Sequence, residues 1–235
     1  MQPLSLRVVR MDDYHLMSKS RMEQRVLVSL TAALLGAALG WLSAWGTDVL
    51  QKQDGLPSAA HGPLLRDPMV QAAAAMAWAV AAWFVDDEWW RWGATGLLSL
   101  PLIQIAITDL RHRYVYTLVA GVGLALGLGF GWTVHNSEWW TSVVGAASAG
   151  AGFLMLFLLG RVMYRGGEPL ARGDITIAAM VGATAASCTL RAIVLGVVLG
   201  GVFALGVLLA RKSGRGYLPY GPGLCLGGLI TLFWC

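Results

Sequence analysis

The chain has 235 residues, of which 57% are hydrophobic and only 13% are charged, whereas soluble domains carry about a quarter charged residues. This composition excludes an ordinary soluble globular protein and indicates an integral membrane protein. The net charge of +4 is modest, and basic loops facing the cytoplasm explain it without a nucleic-acid partner.

A polar tail, residues 1–25, precedes eight apolar segments. Because open strands and irregular backbone leave hydrogen-bonding groups unsatisfied in lipid, each segment is predicted to be a helix. Residues 26–235 are therefore predicted to form one transmembrane domain, an all-α polytopic bundle of about eight helices. The predicted spans are 26–46, 69–86, 91–108, 115–134, 139–160, 174–188, 190–210 and 221–235.

Lysine and arginine are divided unevenly between the two sets of connecting loops. One set carries ten basic residues. The opposite set carries only Arg91 and Arg191, and it also contains the acidic turn 86–88. By the positive-inside rule the basic set faces the cytoplasm. The tail, which also carries basic residues, then lies on the other side against this rule. The ten basic loop residues are Lys52, Arg66, Arg111, Arg113, Arg161, Arg165, Arg172, Arg211, Lys212 and Arg215.

Two aspartates adjoin long apolar segments. Asp109 follows the third predicted span, and Asp174 begins the sixth. A carboxylate at the bilayer centre costs about 2.5–3.5 kcal/mol, so acidic residues at membrane depth indicate a functional site. The predicted topology puts both aspartates at the cytoplasmic ends of their helices, at the same depth. Two such carboxyls suggest a pair that shares one proton.

Each aspartate also has a purely structural explanation. Aspartate is a favoured helix N-cap, and Gly173 directly before Asp174 is typical of many ordinary helix starts. Asp109 can equally mark a helix end at the membrane interface, followed by a solvated basic loop. For His112 in that loop, proton transfer or substrate contact is the alternative to simple solvation. The loop residues concerned are Arg111, His112 and Arg113.

Three short segments together resemble the type IV prepilin peptidase family, membrane aspartic proteases with a Gly-x-Gly-Asp motif. Asp109 precedes a basic loop, as the family's first acid does. Residues 168–174 stand where the family has Glu-x-Met-Gly-x-Gly-Asp, and they end in Gly173 and Asp174. Pro219-Tyr220-Gly221-Pro222 is similar to the family's Pro-Phe-Gly-Pro at the start of the last helix. The order of the segments, the separation of 65 positions between the acids and the number of intervening helices agree as well.

The chain departs from the family pattern at three places. Ala171 replaces the first glycine of Gly-x-Gly-Asp, Thr176 replaces a lysine, and Val115-Tyr116 replaces an Ile-Pro pair. Alanine restricts the backbone where the family's loop bends. The expectation is therefore a slow but active peptidase that Ala171→Gly accelerates. An inactive relative that still binds prepilins is the alternative.

The resemblance implies an endopeptidase that removes the leader of prepilin-like precursors at the cytoplasmic face of the inner membrane. Its partners would be a prepilin-like protein and membrane lipid, and its chemistry needs no metal or organic cofactor. Residues 47–68 contain no cysteine, so the zinc segment that larger members use for N-methylation is not expected. The implied catalytic pair is Asp109 and Asp174. The residues implied in substrate binding or loop shape are Gly173, Ala171, Arg111, His112 and Arg113.

A transporter or channel is the rival class. Intramembrane acids and glycine-rich helices are also typical of transporters. A transporter, however, would bind its substrate near the midplane between internal repeats. Here the acids lie at one edge, and no clear repeat is present.

The cysteines show no pattern of a shared site. Cys188, Cys225 and Cys235 lie in or beside apolar segments and form no CxxC pair. The sequence therefore predicts three small buried residues, without a disulfide framework or a zinc site.

Overall fold

A computed structural model describes residues 11–53, 67–84, 88–112, 115–163, 171–211 and 220–235. These residues form eight α-helices and one 3₁₀ turn and include no strand, which confirms the predicted all-α class. The turn, Ala186–Cys188, joins the sixth and seventh helices. The helices are α1 (Met11–Gln53), α2 (Pro68–Phe84), α3 (Trp89–His112), α4 (Thr117–Val134), α5 (Trp139–Met163), α6 (Arg172–Ala185), α7 (Thr189–Arg211) and α8 (Gly221–Phe233).

The helix boundaries lie close to the predicted spans, except in α1. This helix begins at Met11, inside the predicted tail, and continues to Gln53 rather than ending at residue 46. Hydropathy detects only the apolar part of a helix. The added residues, 11–25 and 47–53, contain neither glycine nor proline, so nothing in the sequence interrupts the helical backbone there.

Five stretches of the described residues are long and apolar enough to cross a membrane: Arg21–Leu50, Trp89–Arg111, Thr117–Val134, Trp139–Met163 and Gly173–Gly206. The chain is thus a polytopic membrane protein. Helices α2, α6 and α8 have 17, 14 and 13 residues, which corresponds to about 20–26 Å. A bilayer core is about 30 Å thick, so a count of eight spanning helices stays a prediction.

Consecutive helices are antiparallel throughout the bundle, and α6 runs parallel to both α4 and α8. In each antiparallel pair, contacts pass from the end of one helix to the start of its neighbour. The defining contacts are Gly36–Trp78 and Gly40–Ala74 for α1 and α2, Trp78–Gly96 and Val70–Ile103 for α2 and α3, and Arg91–Val134 and Pro101–Gly123 for α3 and α4. They are Gly145–Gly182 and Gly150–Ala179 for α5 and α6, and Gly196–Leu224 and Gly200–Tyr220 for α7 and α8. The contacts that define the parallel pairs are Gly123–Met180 and Gly127–Ala183, and Ile177–Gly221 and Val181–Gly228.

This alternation gives the bundle two different ends. The end of α3 and the starts of α6 and α8 meet at one of them, which contains Asp109 and Asp174 and is called here the carboxylate end. The other, called the cysteine end, contains the α6–α7 turn with Cys188 and the end of α8 with Cys235. The helix ends that flank the predicted basic loops all lie at the carboxylate end, in agreement with the predicted grouping of the loops.

Helix α6 is the centre of the packing. It contacts α4, α5, α7 and α8, and its small residues allow neighbouring backbones to approach closely, as is typical of helices in lipid. Gly182, for example, lies directly against the backbone of Gly145 in α5. The main core is formed by large side chains of α3, α6 and α8, including Leu98, Leu102, Ile105, Ile177, Met180, Val181 and Leu224.

Candidate active site

The two predicted acids meet at the carboxylate end. Asp109 lies three residues before the end of α3, and Asp174 is the third residue of α6. Each is only 3% exposed. Gly221 at the start of α8 lies against Oδ2 of Asp109 and also against Cδ1 of Ile177, in the turn of α6 after Asp174. Three helices therefore converge on a pair of buried carboxyls.

A glycine at the start of α8 makes room for the first acid. A Cβ atom on Gly221 would lie 2.5 Å from Oδ2 of Asp109 and 3.2 Å from Cδ1 of Ile177. Because carbon and oxygen atoms in contact are separated by about 3.3 Å or more, alanine fits only if the carboxylate moves. Pro222 follows in the first turn of the helix, where proline is favoured. The Tyr220-Gly221-Pro222 segment thus holds backbone directly against Asp109.

Asp174 belongs to a helix start, but it is not the cap that its sequence suggested. The N-cap is Ala171, and Asp174 occupies the third helical position. Oδ2 of Asp174 accepts a hydrogen bond from the backbone N–H of Ala171 at 3.2 Å. Asp174 thereby supplies the acidic half of a capping box, while alanine has no side-chain acceptor for the other half. The interpretation of Asp174 as an N-cap was wrong by three residues.

The backbone around the second motif is unstrained. Ala171 has φ −78° and ψ 149°, which every L-residue adopts readily, so alanine carries no φ penalty in this conformation. A Cβ on Gly173 would lie 3.5 Å from Cβ of Val115, an ordinary contact. The segment after Asp109 therefore packs against the segment before Asp174, so the two motifs are in direct contact.

Arg111 links the end of α3 to the start of α2. Its Nη1 lies 2.9 Å from Oδ2 of Asp67, and Oδ1 of Asp67 accepts hydrogen bonds from the N–H groups of Met69 and Val70 at 3.2 and 3.4 Å. One aspartate therefore caps α2 and anchors the end of α3. The side chain of His112 and the whole of Arg113 lie outside the described residues, as do Glu168, Leu170 and Pro219 of the motifs.

A buried polar chain leads toward the first acid from α1. Ser43 Oγ donates to Gln104 Oε1 at 3.2 Å, and Gln104 Nε2 donates to Thr108 Oγ1 at 3.4 Å. Thr108 also donates to the Gln104 carbonyl at 2.7 Å. These bonds stabilise the turn of α3 that carries Asp109.

Sequence reasoning missed several of these residues. Asp67 had a detectable signal, because aspartate followed by proline is typical of an N-cap and the first helical position. Gly221 had been noticed only as part of a motif, not as a contact of Asp109. Ser43, Gln104 and Cys225 belong to no motif and reach the site through helix packing alone.

The prediction of three unpaired cysteines was wrong for two of them. Cys188 and Cys235 form a disulfide at the cysteine end, with their Cα atoms 6.4 Å apart. They are separated by 47 positions in the sequence, so no short-range spacing of cysteines predicts the bond. They meet because the α6–α7 turn lies beside the end of α8. Cys225 is free and buried, as predicted.

The fold and site describe a membrane protein with a buried carboxyl pair at one end of a helix bundle. Residues 96–209, which include both aspartates, match the model of the Type IV leader peptidase family. This match supports membership of the chain in that family. The transporter alternative is not favoured.

Two curated relatives carry similar names. One is an Escherichia coli "Type 4 prepilin-like proteins leader peptide-processing enzyme", 26% identical over 170 residues. The other is a Pseudomonas aeruginosa "Prepilin leader peptidase/N-methyltransferase", 28% identical over 174 residues. Each similarity covers 72% of this chain but only 61% and 58% of the relatives, so the chain spans about three fifths of their length. No solved structure matches the chain significantly.

Proposed function

We propose that this protein is a membrane-embedded aspartic endopeptidase that cleaves the leader from prepilin-like precursors, with Asp109 and Asp174 as its catalytic pair. The observation that carries the proposal is the pair of buried carboxyls at one end of α3 and α6, where the start of α8 packs against Asp109. Both acids lie inside the stretch that matches the leader peptidase family. The names of the two relatives support the substrate class.

The chemistry follows from two carboxyls that share a water-poor site. Both cannot be ionised cheaply, so the pair holds one proton between them. The ionised carboxyl removes a proton from a water molecule, which attacks the carbonyl carbon of the scissile peptide bond. The protonated carboxyl donates its proton to the carbonyl oxygen. As the tetrahedral intermediate collapses, the C–N bond breaks, the leaving nitrogen takes the proton that the base removed from water, and the other carboxyl recovers its proton as the C=O bond re-forms. These roles belong to the pair, which titrates as a unit.

Peptide access requires a local opening. Both aspartates are 3% exposed, so an extended peptide reaches them only when a neighbouring segment moves. The starts of α6 and α8 are suited to this, because Gly173 and Gly221 leave the backbone open beside the acids. The loop residues His112 and Arg113 would then contact or orient the leader, whereas Arg111, paired with Asp67, would shape the loop.

The proposed orientation has the carboxylate end in the cytoplasm of a bacterial inner membrane. The excess of lysine and arginine in the loops at this end supports it. The disulfide gives independent support, because such bonds persist in oxidising compartments and are rare in the cytosol. Cys188–Cys235 lies at the opposite end of the bundle. A precursor whose basic leader stays in the cytoplasm would meet the acids directly.

The test uses the full chain in detergent and a prepilin-like substrate with its leader. Asp109→Asn and Asp174→Asn should each lower the cleavage rate by at least about 10³-fold, because general acid–base catalysis contributes about 10²–10⁴. Asparagine keeps an acceptor oxygen for the Ala171 N–H and removes a charge from membrane depth, so thermal stability should hold or rise.

Glu88→Gln is the control, since it also neutralises an acidic side chain but lies exposed at the opposite end of the bundle, and it should leave cleavage nearly unchanged. Retained cleavage in either catalytic variant would exclude a two-aspartate mechanism. An inactive native chain, tested against several prepilin-like substrates, would favour a non-catalytic relative that only binds prepilins.

A further inference from the structure

A second cluster of reactive side chains lies at the cysteine end. His135 follows α4, Cys188 lies in the α6–α7 turn, and Cys235 follows α8. One ring nitrogen of His135 and the two sulfur atoms all lie within 4.8 Å of one another. Three separate parts of the chain bring these groups together, on the face opposite the proposed peptidase site.

The imidazole of His135 is arranged as a ligand. Its Nε2 atom is buried and has no hydrogen-bond partner among the described residues. The ring also bonds to the backbone of Thr184. Histidines that bind metals are commonly oriented in this way, by a backbone carbonyl on the second nitrogen.

We propose that His135, Cys188 and Cys235 bind one thiophilic d¹⁰ cation, Zn²⁺ or Cu⁺, when the disulfide is reduced. A tetrahedral zinc with bonds of about 2.0–2.3 Å separates its ligand atoms by roughly 3.5–3.8 Å. The cluster, with all three ligand atoms within 4.8 Å, reaches this spacing by small side-chain rotations once the S–S bond is broken. Thiolate and imidazole are the ligands that these cations prefer.

The oxidised and metal-bound states exclude each other. A dithiol or phosphine reductant supplies two electrons, and with two protons these convert the disulfide into two thiols. The cation then displaces both thiol protons and binds the thiolates together with Nε2. Arg191 Nη1 lies 3.7 Å from the sulfur of Cys235. The cysteine end is therefore a disulfide under oxidising conditions and a metal site under reducing conditions.

A disulfide alone does not explain why the buried Nε2 atom of His135 lies beside the two sulfur atoms. The S–S bond needs no imidazole, and a buried ring nitrogen without a partner is unfavourable. A cation on Nε2 would satisfy it and would use the orientation that Thr184 provides.

The experiment uses the full chain in detergent, reduced with a phosphine and kept free of oxygen. Co²⁺ serves as a spectroscopic stand-in for Zn²⁺, and colorimetric chelators compete separately for Zn²⁺ and Cu⁺. The reduced protein should bind one equivalent, with thiolate-to-cobalt charge-transfer absorption, and the oxidised protein should bind none. The two chelators distinguish zinc from copper.

Variants identify the ligands. Cys188→Ser and Cys235→Ser should each abolish the charge-transfer band of one thiolate and weaken binding strongly, and His135→Ala should weaken it by at least about tenfold. Cys225→Ser, which changes the buried cysteine near the acids, is the matched control and should bind like the native chain. The thermal unfolding temperature of the oxidised His135→Ala protein shows whether that variant is folded. Asp109→Asn, at the other end of the bundle, should bind metal like the native chain.

Failure of the reduced native chain to bind either cation would overturn the proposal. It would also fall if His135→Ala left the affinity unchanged, or if Cys225→Ser lowered it as much as Cys188→Ser. None of these readouts depends on peptidase activity.

Discussion

The two ends of this bundle differ in how their reactive residues are brought together. At the carboxylate end, Asp109 and Asp174 each stand in a short segment that is recognisable by itself, at the end of one helix and the start of another. At the cysteine end, His135, Cys188 and Cys235 share no motif and are joined only by the packing of three elements. A site made from helix ends can be anticipated from hydropathy, whereas one made from isolated residues cannot.

If the two ends face different compartments, labelling should separate them completely. In a chain with Cys188→Ser, Cys225→Ser and Cys235→Ser, Glu88→Cys reports on the cysteine end and Lys52→Cys on the carboxylate end; both positions are exposed. A membrane-impermeant thiol reagent added outside should label only Glu88→Cys. After permeabilisation both should react. Labelling of Lys52→Cys alone in intact cells would reverse the orientation and place the acids on the wrong side for a cytoplasmic leader.

Among substitutions that keep both acids, Gly221→Ala should lower the cleavage rate most. The new Cβ would lie 2.5 Å from Oδ2 of Asp109 and must displace that carboxylate. Misplacing a catalytic group by about 1 Å can cost about 10²-fold in rate, so cleavage should fall by about that factor. The measurement is single-turnover cleavage in detergent.

Gly201→Ala in α7 is the control for Gly221→Ala, because nothing lies within 4 Å of a Cβ at Gly201. It should leave cleavage unchanged and stabilise the helix by about 0.5–1 kcal/mol. Equal activity in the two variants would mean that Gly221 does not position Asp109.

The link between α2 and α3 should contribute to stability rather than to chemistry. Asp67→Ala removes a helix cap and should cost about 1–2 kcal/mol in unfolding free energy. Arg111→Ala removes a partly exposed ion pair and should cost about 0.2–1 kcal/mol. A double-mutant cycle on thermal unfolding measures the coupling, with Arg161→Ala at the same end as a control. A much larger loss of cleavage than of stability for Arg111→Ala would assign this residue to substrate binding.

Ala171→Gly should have the smallest effect. Because Ala171 has φ −78°, glycine relieves no strain in the structure described. A gain arises only if the loop passes through positive φ during opening, where alanine costs up to about 1 kcal/mol relative to glycine; relief of 1 kcal/mol is worth about fivefold in rate. Turnover should therefore rise by about fivefold or less, and Ala171→Gly with Asp174→Asn should stay inactive. A fall in turnover would show that alanine helps to position Asp174.

Several features of the site were predictable, and the reasons are local. The two acids were found because a charge at membrane depth is costly, and the sequence offers few of them. The substrate-binding or loop-shaping role of Arg111 stays a prediction, and its ion pair with Asp67 was not foreseen. The unstrained backbone of Ala171 was not predictable, because it depends on a φ angle that the packing of the neighbouring helices sets. The disulfide of Cys188 and Cys235 was missed for a similar reason, since 47 positions separate its partners.

The sequence by itself determined the helices, their order and the end of the bundle at which each loop lies. Lipid allows only helices across the bilayer, and short connections make consecutive helices antiparallel, so hydropathy was sufficient for this. Only the tertiary structure decided which side chains face each other: Gly221 against Asp109, Arg111 against Asp67, and Cys188 against Cys235. Those contacts depend on how each helix is rotated about its axis and how closely small residues let it pack, and hydropathy encodes neither.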